Sequence, residues 1–282
     1  MDAMADFLRQ TAKSNGIPLT HAALVLPSTE VFTRELVMPA MTEQQLLYNL
    51  PYEFRDYLTE EKNKYFFDYS MREVLRDESG QPTEMNLLAC ATLKSTVESY
   101  RAMLRRAGFR LRVLTPSECA YSAVLQAYYR RTRQEGRDLC VVNLGHSATF
   151  LYIYRGGRFA SRREIEVGMS DLEHLVADQC SVDVHVAHEY VRQNYNHVLE
   201  SEQARELYGR IAVEVVKAVN FFNYNNRERE LTQLCLCGGG SAIQPLYDTI
   251  ADTTGMTLHT SAELLGQRMS TCLLYTSDAA DD

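Results

Sequence analysis

Apolar positions along the chain switch between a period of two and a period near 3.6, and each switch marks an element. Met1–Asn15 carries Met4, Phe7, Leu8 and Ala12 at helical spacing and is stopped by Gly16 and Pro18. Ala22–Leu26 reads as a short buried strand, and Val31–Met38 alternates as a second that ends at Pro39. Thr42 and Gln45 have the spacing of a reciprocal helix cap. The helix they open carries Leu46, Leu47 and Leu50 and is expected to bend or break at Pro51. Tyr65–Val74 and Met85–Thr92 read as strands, separated by a turn holding Asp77, Gly80 and Pro82. Ser95-Thr-Val-Glu98 predicts a capped helix closed by Gly108. A strand over Leu111–Leu114 and a helix over Ser117–Tyr129 follow.

Arg130–Arg137 is polar, holds four arginines and reads as a surface connection and the main boundary. Beyond it come three strands in succession, Asp138–Leu144, Thr149–Tyr154 and Arg158–Val167, with Gly156-Gly157 as a tight hairpin turn. Ser170-Asp-Leu-Glu173 predicts a second capped helix, and 184–195 and 201–225 are helical by period. Leu231–Cys237 is a strand, Gly238-Gly-Gly240 a loop, Ser241–Thr253 a helix closed by Gly255, and Met256–His259 an edge strand. Three strands, then helices, then strand and helix argue a layered α/β domain.

Composition narrows the class. The 282 residues are 45% hydrophobic and 23% charged, which excludes a mostly disordered chain. A net charge of -8 argues against a general nucleic-acid surface. No apolar run reaches the roughly 18–20 residues of a membrane span, so direct membrane insertion is not expected. No basic-then-apolar secretory signal opens the sequence. Seven cysteines, several in apolar runs, fit reduced, buried thiols of a cytoplasmic protein. Cys235 and Cys237 alternate with leucines as strand core, and His185, His188 and His197 read as surface histidines rather than metal ligands.

Three features carry candidate chemistry. In Val141-Val-Asn-Leu-Gly-His-Ser-Ala-Thr149, a buried strand turns at a glycine into a second strand. Such a hairpin can aim backbone N–H groups and a small hydroxyl at an anion. Its candidate phosphate-binding residues are Asn143, Gly145, His146 and Ser147. Leu234-Cys-Leu-Cys-Gly-Gly-Gly-Ser241 places Gly238, Gly239, Gly240 and Ser241 between a buried strand and a helix, where a phosphate or a flat ring can lie on bare backbone. It is neither a Walker A loop nor a dinucleotide fingerprint. Glu214 and Lys217 share a helix face, either as a local ion pair or as partners of ribose hydroxyls and an adenine edge. Each feature alone also fits a plain turn or pair.

In this order the three features resemble the actin-like ATPase superfamily, and within it the PilM family of type IV pilus assembly proteins, with the division protein FtsA more distant. In the first half the resemblance is carried by Leu24-Val-Leu-Pro-Ser28, Val31 to Met38-Pro-Ala40, Thr42-Glu-Gln, Phe67-Asp-Tyr69 and Leu87-Leu-Ala-Cys-Ala-Thr92 with the helix ending Arg106-Ala-Gly108, and overall it covers about residues 1–265. It implies an actin-like, ribonuclease H-like two-domain α/β fold with a small inserted α+β subdomain and an incomplete first large subdomain. Residues 1–21 would be a remnant of that first subdomain, 22–112 the insert, 113–137 a helix and linker returning to it, and 138–271 the nucleotide-binding half. Residues 272–282 resemble translated sequencing-adapter DNA and are expected to be a non-native tail.

The resemblance further implies ATP with Mg²⁺ as ligand. Glu214, Lys217 and Gly238 to Ser241 would face the adenosine, and the Asn143–Ser147 hairpin the phosphates. The partner implied is the cytoplasmic N-terminal tail of a PilN-type membrane protein, held by the insert, with self-association besides. The location would be cytoplasmic, peripheral at the inner face of the membrane. Two departures stand out. The family's first phosphate loop, Asp-x-Gly-Ser/Thr, would fall before Met1. Its second carries an acidic residue where this chain has Asn143, which keeps an acceptor oxygen but cannot act as a base. ATP is therefore expected as a conformational ligand rather than a substrate. The alternatives are an FtsA-like division filament protein and a phosphotransferase of the same superfamily, which needs charged aspartates in its phosphate loops.

Overall fold

The computed structural model describes residues 2–134, 136–227 and 230–266. The chain divides into two compact units between Ala120 and Tyr121. The first holds α1 (Asp2–Ser14), β1 (His21–Leu26), β2 (Phe32–Pro39), α2 (Glu43–Glu53), β3 (Tyr65–Arg76), β4 (Pro82–Leu93), α3 (Lys94–Ala107) and β5 (Arg110–Pro116). Helix α4 (Ser117–Thr132) starts here and runs into the second unit. There follow β6 (Leu139–Leu144), β7 (Thr149–Arg155), β8 (Arg158–Ile165), α5 (Met169–Cys180), α6 (Val184–Gln193), α7 (Glu202–Asn225), β9 (Gln233–Cys237), α8 (Gln244–Thr254), β10 (Thr257–Thr260) and α9 (Ser261–Leu265).

In the first unit, β1 and β5 form a parallel pair. Ala5 of α1 packs with Met103, Leu104 and Ala107 of α3, and Ala22 and Leu111 of the strands lie against them. Between β1 and α3 the chain builds a separate antiparallel sheet of order β2-β4-β3. Alternation puts Leu36, Met38, Leu87, Ala89 and Ala91 on one face, where Leu46 and Leu50 of α2 and Phe54 cover them. On the other face the Thr33 hydroxyl donates to Glu118 Oε1 at 3.2 Å, and Arg72 pairs with Glu35 at 2.5 Å.

The second unit has one five-stranded sheet of order β10-β9-β6-β7-β8. β6, β7 and β8 form an antiparallel meander, and β9 and β10 run parallel to β6 on its other side. Parallel neighbours require crossovers, and the helices supply them. Cys140, Val142, Leu144, Leu234 and Leu236 point into a core shared with Leu172 and Val176 of α5, Ile211 and Val215 of α7, and Leu246 and Ile250 of α8. On the α4 side, the Tyr121 and Tyr152 rings lie 5.1 Å apart and the Tyr121 hydroxyl meets Cys237 Sγ at 3.4 Å.

Several expected details change. Ala5 and Ala12 are the buried positions of α1, while Met4 and Phe7 are 52% and 37% exposed: the close approach of α3 admits alanine and turns the larger side chains outward. The Thr42–Gln45 cap forms in both directions, and α2 runs through Pro51 to end only two residues later, where the lost N–H matters least. α3 follows β4 without a break, so Leu93 sits at its N-cap and Ser95 already lies inside the first turn. At α5 the Gly168 N–H donates to Asp171 Oδ2 at 2.8 Å, so the cap stands two residues before Ser170 and leaves Glu173 free for another role. A 3₁₀ turn over Gly239–Ala242 separates the glycine loop from α8, which begins at Gln244 rather than Ser241. The tail at 272–282 lies outside the described residues.

Candidate functional site

The β6–β7 hairpin lies at the end of the sheet where β9 also stops. Gly145 N–H donates to Asn143 O at 3.1 Å and Ala148 O at 3.2 Å, closing the turn on itself. A side chain on Gly145 would stand 2.7 Å from the Ala148 carbonyl. His146 and Ser147 are exposed at the tip, and Asn143 is half-buried below it.

A third segment, which no sequence motif marks, holds the hairpin from behind. Met169 N–H donates to Gly145 O at 3.0 Å and Ser170 N–H to His146 O at 2.8 Å. Gly168 is buried so tightly that a Cβ would lie 2.6 Å from both Ala148 N and the Ser147 carbonyl carbon. Its signal in the sequence is a glycine two residues before Ser170, where spacing places a cap. The α5 residue Glu173 also reaches this region: its Oε1 lies 2.9 Å from His188 Nδ1 and 3.7 Å from His146 Nδ1. Among the described residues no group of three or more His, Cys, Asp or Glu side chains is placed to hold a metal.

The glycine loop packs directly against the hairpin. Gly238 has φ +83°, and a side chain there would strike Asn143 Oδ1 and the Leu144 carbonyl. Gly240 is buried with its Cα facing Met169 Sδ and Leu144 Cβ, which a Cβ would approach to 2.6 and 2.8 Å. Gly239 is exposed, with open space where a side chain would be. The Ser241 hydroxyl donates to Gly238 O at 2.7 Å, fastening the turn. Beneath the loop, burial pushes the thiols of Cys235 and Cys237 up, so neither is a thiolate nucleophile.

Glu214 and Lys217 stand on a different wall. They form an exposed ion pair of 2.7 Å on α7 and line an open cleft of about 860 Å³. Its other lining residues on α7 are Glu206, Gly209, Arg210 and Val213. Glu206 and Arg210 step back from Glu214, and Gly209 and Val213 from Lys217, in intervals of four along the helix, so all share one face. The opposite wall is Glu164, Ile165, Glu166 and Val167. Val167 precedes Gly168, and its carbonyl accepts the buried Thr149 hydroxyl at 2.9 Å, so the cleft wall leads into the hairpin base. The structure thus brings Asn143, Gly145, Gly238 and Gly240 into one packed junction, with His146 and Ser147 at its tip. Glu214 and Lys217 line the adjoining cleft.

A meander carried into parallel strands, with loops gathered at one sheet end, defines an actin-like α/β protein. The type IV pilus assembly protein PilM family matches residues 1–267, and the chain belongs to it; its place is in type IV pilus assembly. No curated protein matches the sequence. The chain is similar in structure to a solved PilM–PilN type IV pilus biogenesis complex, with a TM-score of 0.77 and 18% identity over 99% of this chain and 80% of that one. More distant are the ethanolamine utilization protein EutJ from Carboxydothermus hydrogenoformans (TM-score 0.47, 16% identity, 62% of this chain and 58% of that one) and the archaeal actin homologue Ta0583 (TM-score 0.43, 14% identity, 70% and 89%). Among the described residues no helix is long and apolar enough to cross a membrane.

Proposed function

We propose that this chain is an actin-like scaffold of the type IV pilus machinery that binds ATP and docks the cytoplasmic N-terminal tail of a PilN-type membrane protein. The observation that carries the ATP reading is the packed junction of hairpin, Gly168 turn and Gly238–Gly240 loop beside the Glu214–Lys217 cleft. The exposed tip at His146 and Ser147 suits phosphate oxygens, and Gly239 offers bare backbone beside it. Glu214 and Lys217 would then exchange part of their mutual pairing for ribose hydroxyls and an adenine edge. Mg²⁺ would be held chiefly by phosphate oxygens and water, because Asn143 offers only a neutral acceptor. No charged base stands at Asn143, so ATP acts by favouring one conformational state.

The partner reading rests on family membership and on the likeness to the PilM–PilN complex. The insert supports it with an exposed apolar face on α2: Leu47, Tyr48 and Tyr52 are 45%, 71% and 50% exposed. Docking there would keep the protein peripheral at the inner membrane face. Calorimetric titration with ATP and Mg²⁺, followed by capture on the immobilised tail peptide with and without ATP, tests both parts. Saturable ATP binding and capture weakened by Tyr48→Ala with Tyr52→Ala are expected. Absence of either in the intact protein sinks the corresponding part.

A further inference from the structure

The chain's 14 glycines sort by local geometry. Nine have positive φ. Gly145, Gly168 and Gly240 are held by atoms that a Cβ would crowd. Two are left with ordinary backbone and open space where a side chain would stand, Gly239 and Gly209. Gly239 belongs to the Gly238–Gly240 loop of the hairpin junction. Gly209 lies inside α7, where glycine weakens a helix relative to alanine and no neighbour demands it. It also lines the cleft that holds Glu214 and Lys217.

The cleft's charge says which part of a nucleotide it can take. Glu164, Glu166, Glu206 and Glu214 outnumber Arg210 and Lys217, which disfavours a triphosphate there. Apolar surface from Ile165, Val167 and Val213 adjoins these acceptors. A flat, uncharged ring with N–H donors and an attached sugar matches that lining. Resting on the ATP reading, we infer that Gly209 is the seat of the nucleotide base on α7. The missing side chain leaves the α7 backbone open to the ring, at the expense of helix stability.

The test compares wild type, Gly209→Ala and Gly209→Leu by calorimetric titration with ATP and, separately, with inorganic tripolyphosphate, together with thermal unfolding of the ligand-free proteins. The expected result is ATP affinity reduced about tenfold by alanine and further by leucine, in line with the effect of one methyl group in a fitted site. Tripolyphosphate affinity stays equal in all three. The ligand-free alanine variant melts about 1–4 °C higher, as helix propensity requires. Equal ATP affinity in all three proteins overturns the seat and leaves ATP binding standing. Parallel loss of tripolyphosphate affinity also overturns it, because the effect is then distortion of the site. A wild type that binds no ATP overturns the nucleotide reading and the seat with it.

Discussion

His188 Nδ1 donates to Glu173 Oε1 at 2.9 Å, and Glu173 is only 6% exposed. The same oxygen lies 3.7 Å from His146 Nδ1 at the hairpin tip. One buried carboxylate therefore ties α6 to the candidate phosphate loop. Removing a partner from a buried polar pair leaves the other group unsatisfied, so His188→Ala, which strands the buried Glu173 carboxylate, should lower stability by about 1–3 kcal/mol. Glu173→Ala should cost less, since the His188 it leaves behind is half exposed and water can pair with it. The double variant should fall short of the sum by about 0.5 kcal/mol or more. Urea denaturation of the four proteins measures this, and strict additivity would show that the two groups are not coupled.

Gly168 makes the second prediction. Backbone atoms of Ser147 and Ala148 stand 2.6 Å from where its Cβ would be, and backbone moves less readily than side chains. Gly168→Ala should destabilise the second unit by about 1–3 kcal/mol, the usual effect of overpacking. It should also displace the hairpin, so ATP affinity falls with stability. Circular dichroism melts paired with ATP titration check it; a variant with wild-type melting and binding contradicts the packed junction.

Much of this was legible in sequence. The second sheet announced itself through buried runs at Val141–Leu144 and Leu234–Cys237, because strands covered on both faces show as continuous apolar segments. The Thr42–Gln45 cap was legible because its spacing is local. Gly168 was not, since its constraint comes from residues about 20 positions earlier in the chain, brought close by the β7–β8 reversal. The spacing of Ser170 and Glu173 imitates a cap, but Gly168 and Asp171 form the cap in the folded chain. The Glu206–Arg210 part of the cleft shared a helix face with Glu214, yet only the position of β8 makes that face a wall.

Lys217 separates the two readings of its pair with Glu214. The contact is 2.7 Å long with side chains 65% and 45% exposed, so as an ion pair it contributes little, on the order of 0.2–1 kcal/mol. Lys217→Met keeps the stem and removes the charge. Melting temperature should barely change, while ATP affinity should fall about tenfold if the ammonium bonds the nucleotide. Unchanged affinity by titration would leave Lys217 a partner of Glu214 alone.

Alkaline pH acts on the buried thiols. Burial, reinforced by Asp68 and Cys119, raises the Cys90 thiol from 9.0 to about 12. Burial also raises Cys119, Cys140, Cys235 and Cys237. Between 9.0 and about 12 the unfolded Cys90 thiol has lost its proton while the folded one keeps it. The unfolded state then binds fewer protons, so stability falls as pH rises through that window, by up to about 1.4 kcal/mol per pH unit for each such thiol. Below 9.0 the contribution is fully present. Denaturation midpoints should decline steeply above that pH, and Cys90→Ala should make the decline shallower without altering its onset from the other thiols. At pH 8 native Cys90 should resist iodoacetamide and become reactive only in denaturant, because the thiolate is the nucleophile. Mass mapping of alkylated peptides reads this directly, and rapid native labelling of Cys90 would contradict the burial that sets its protonation.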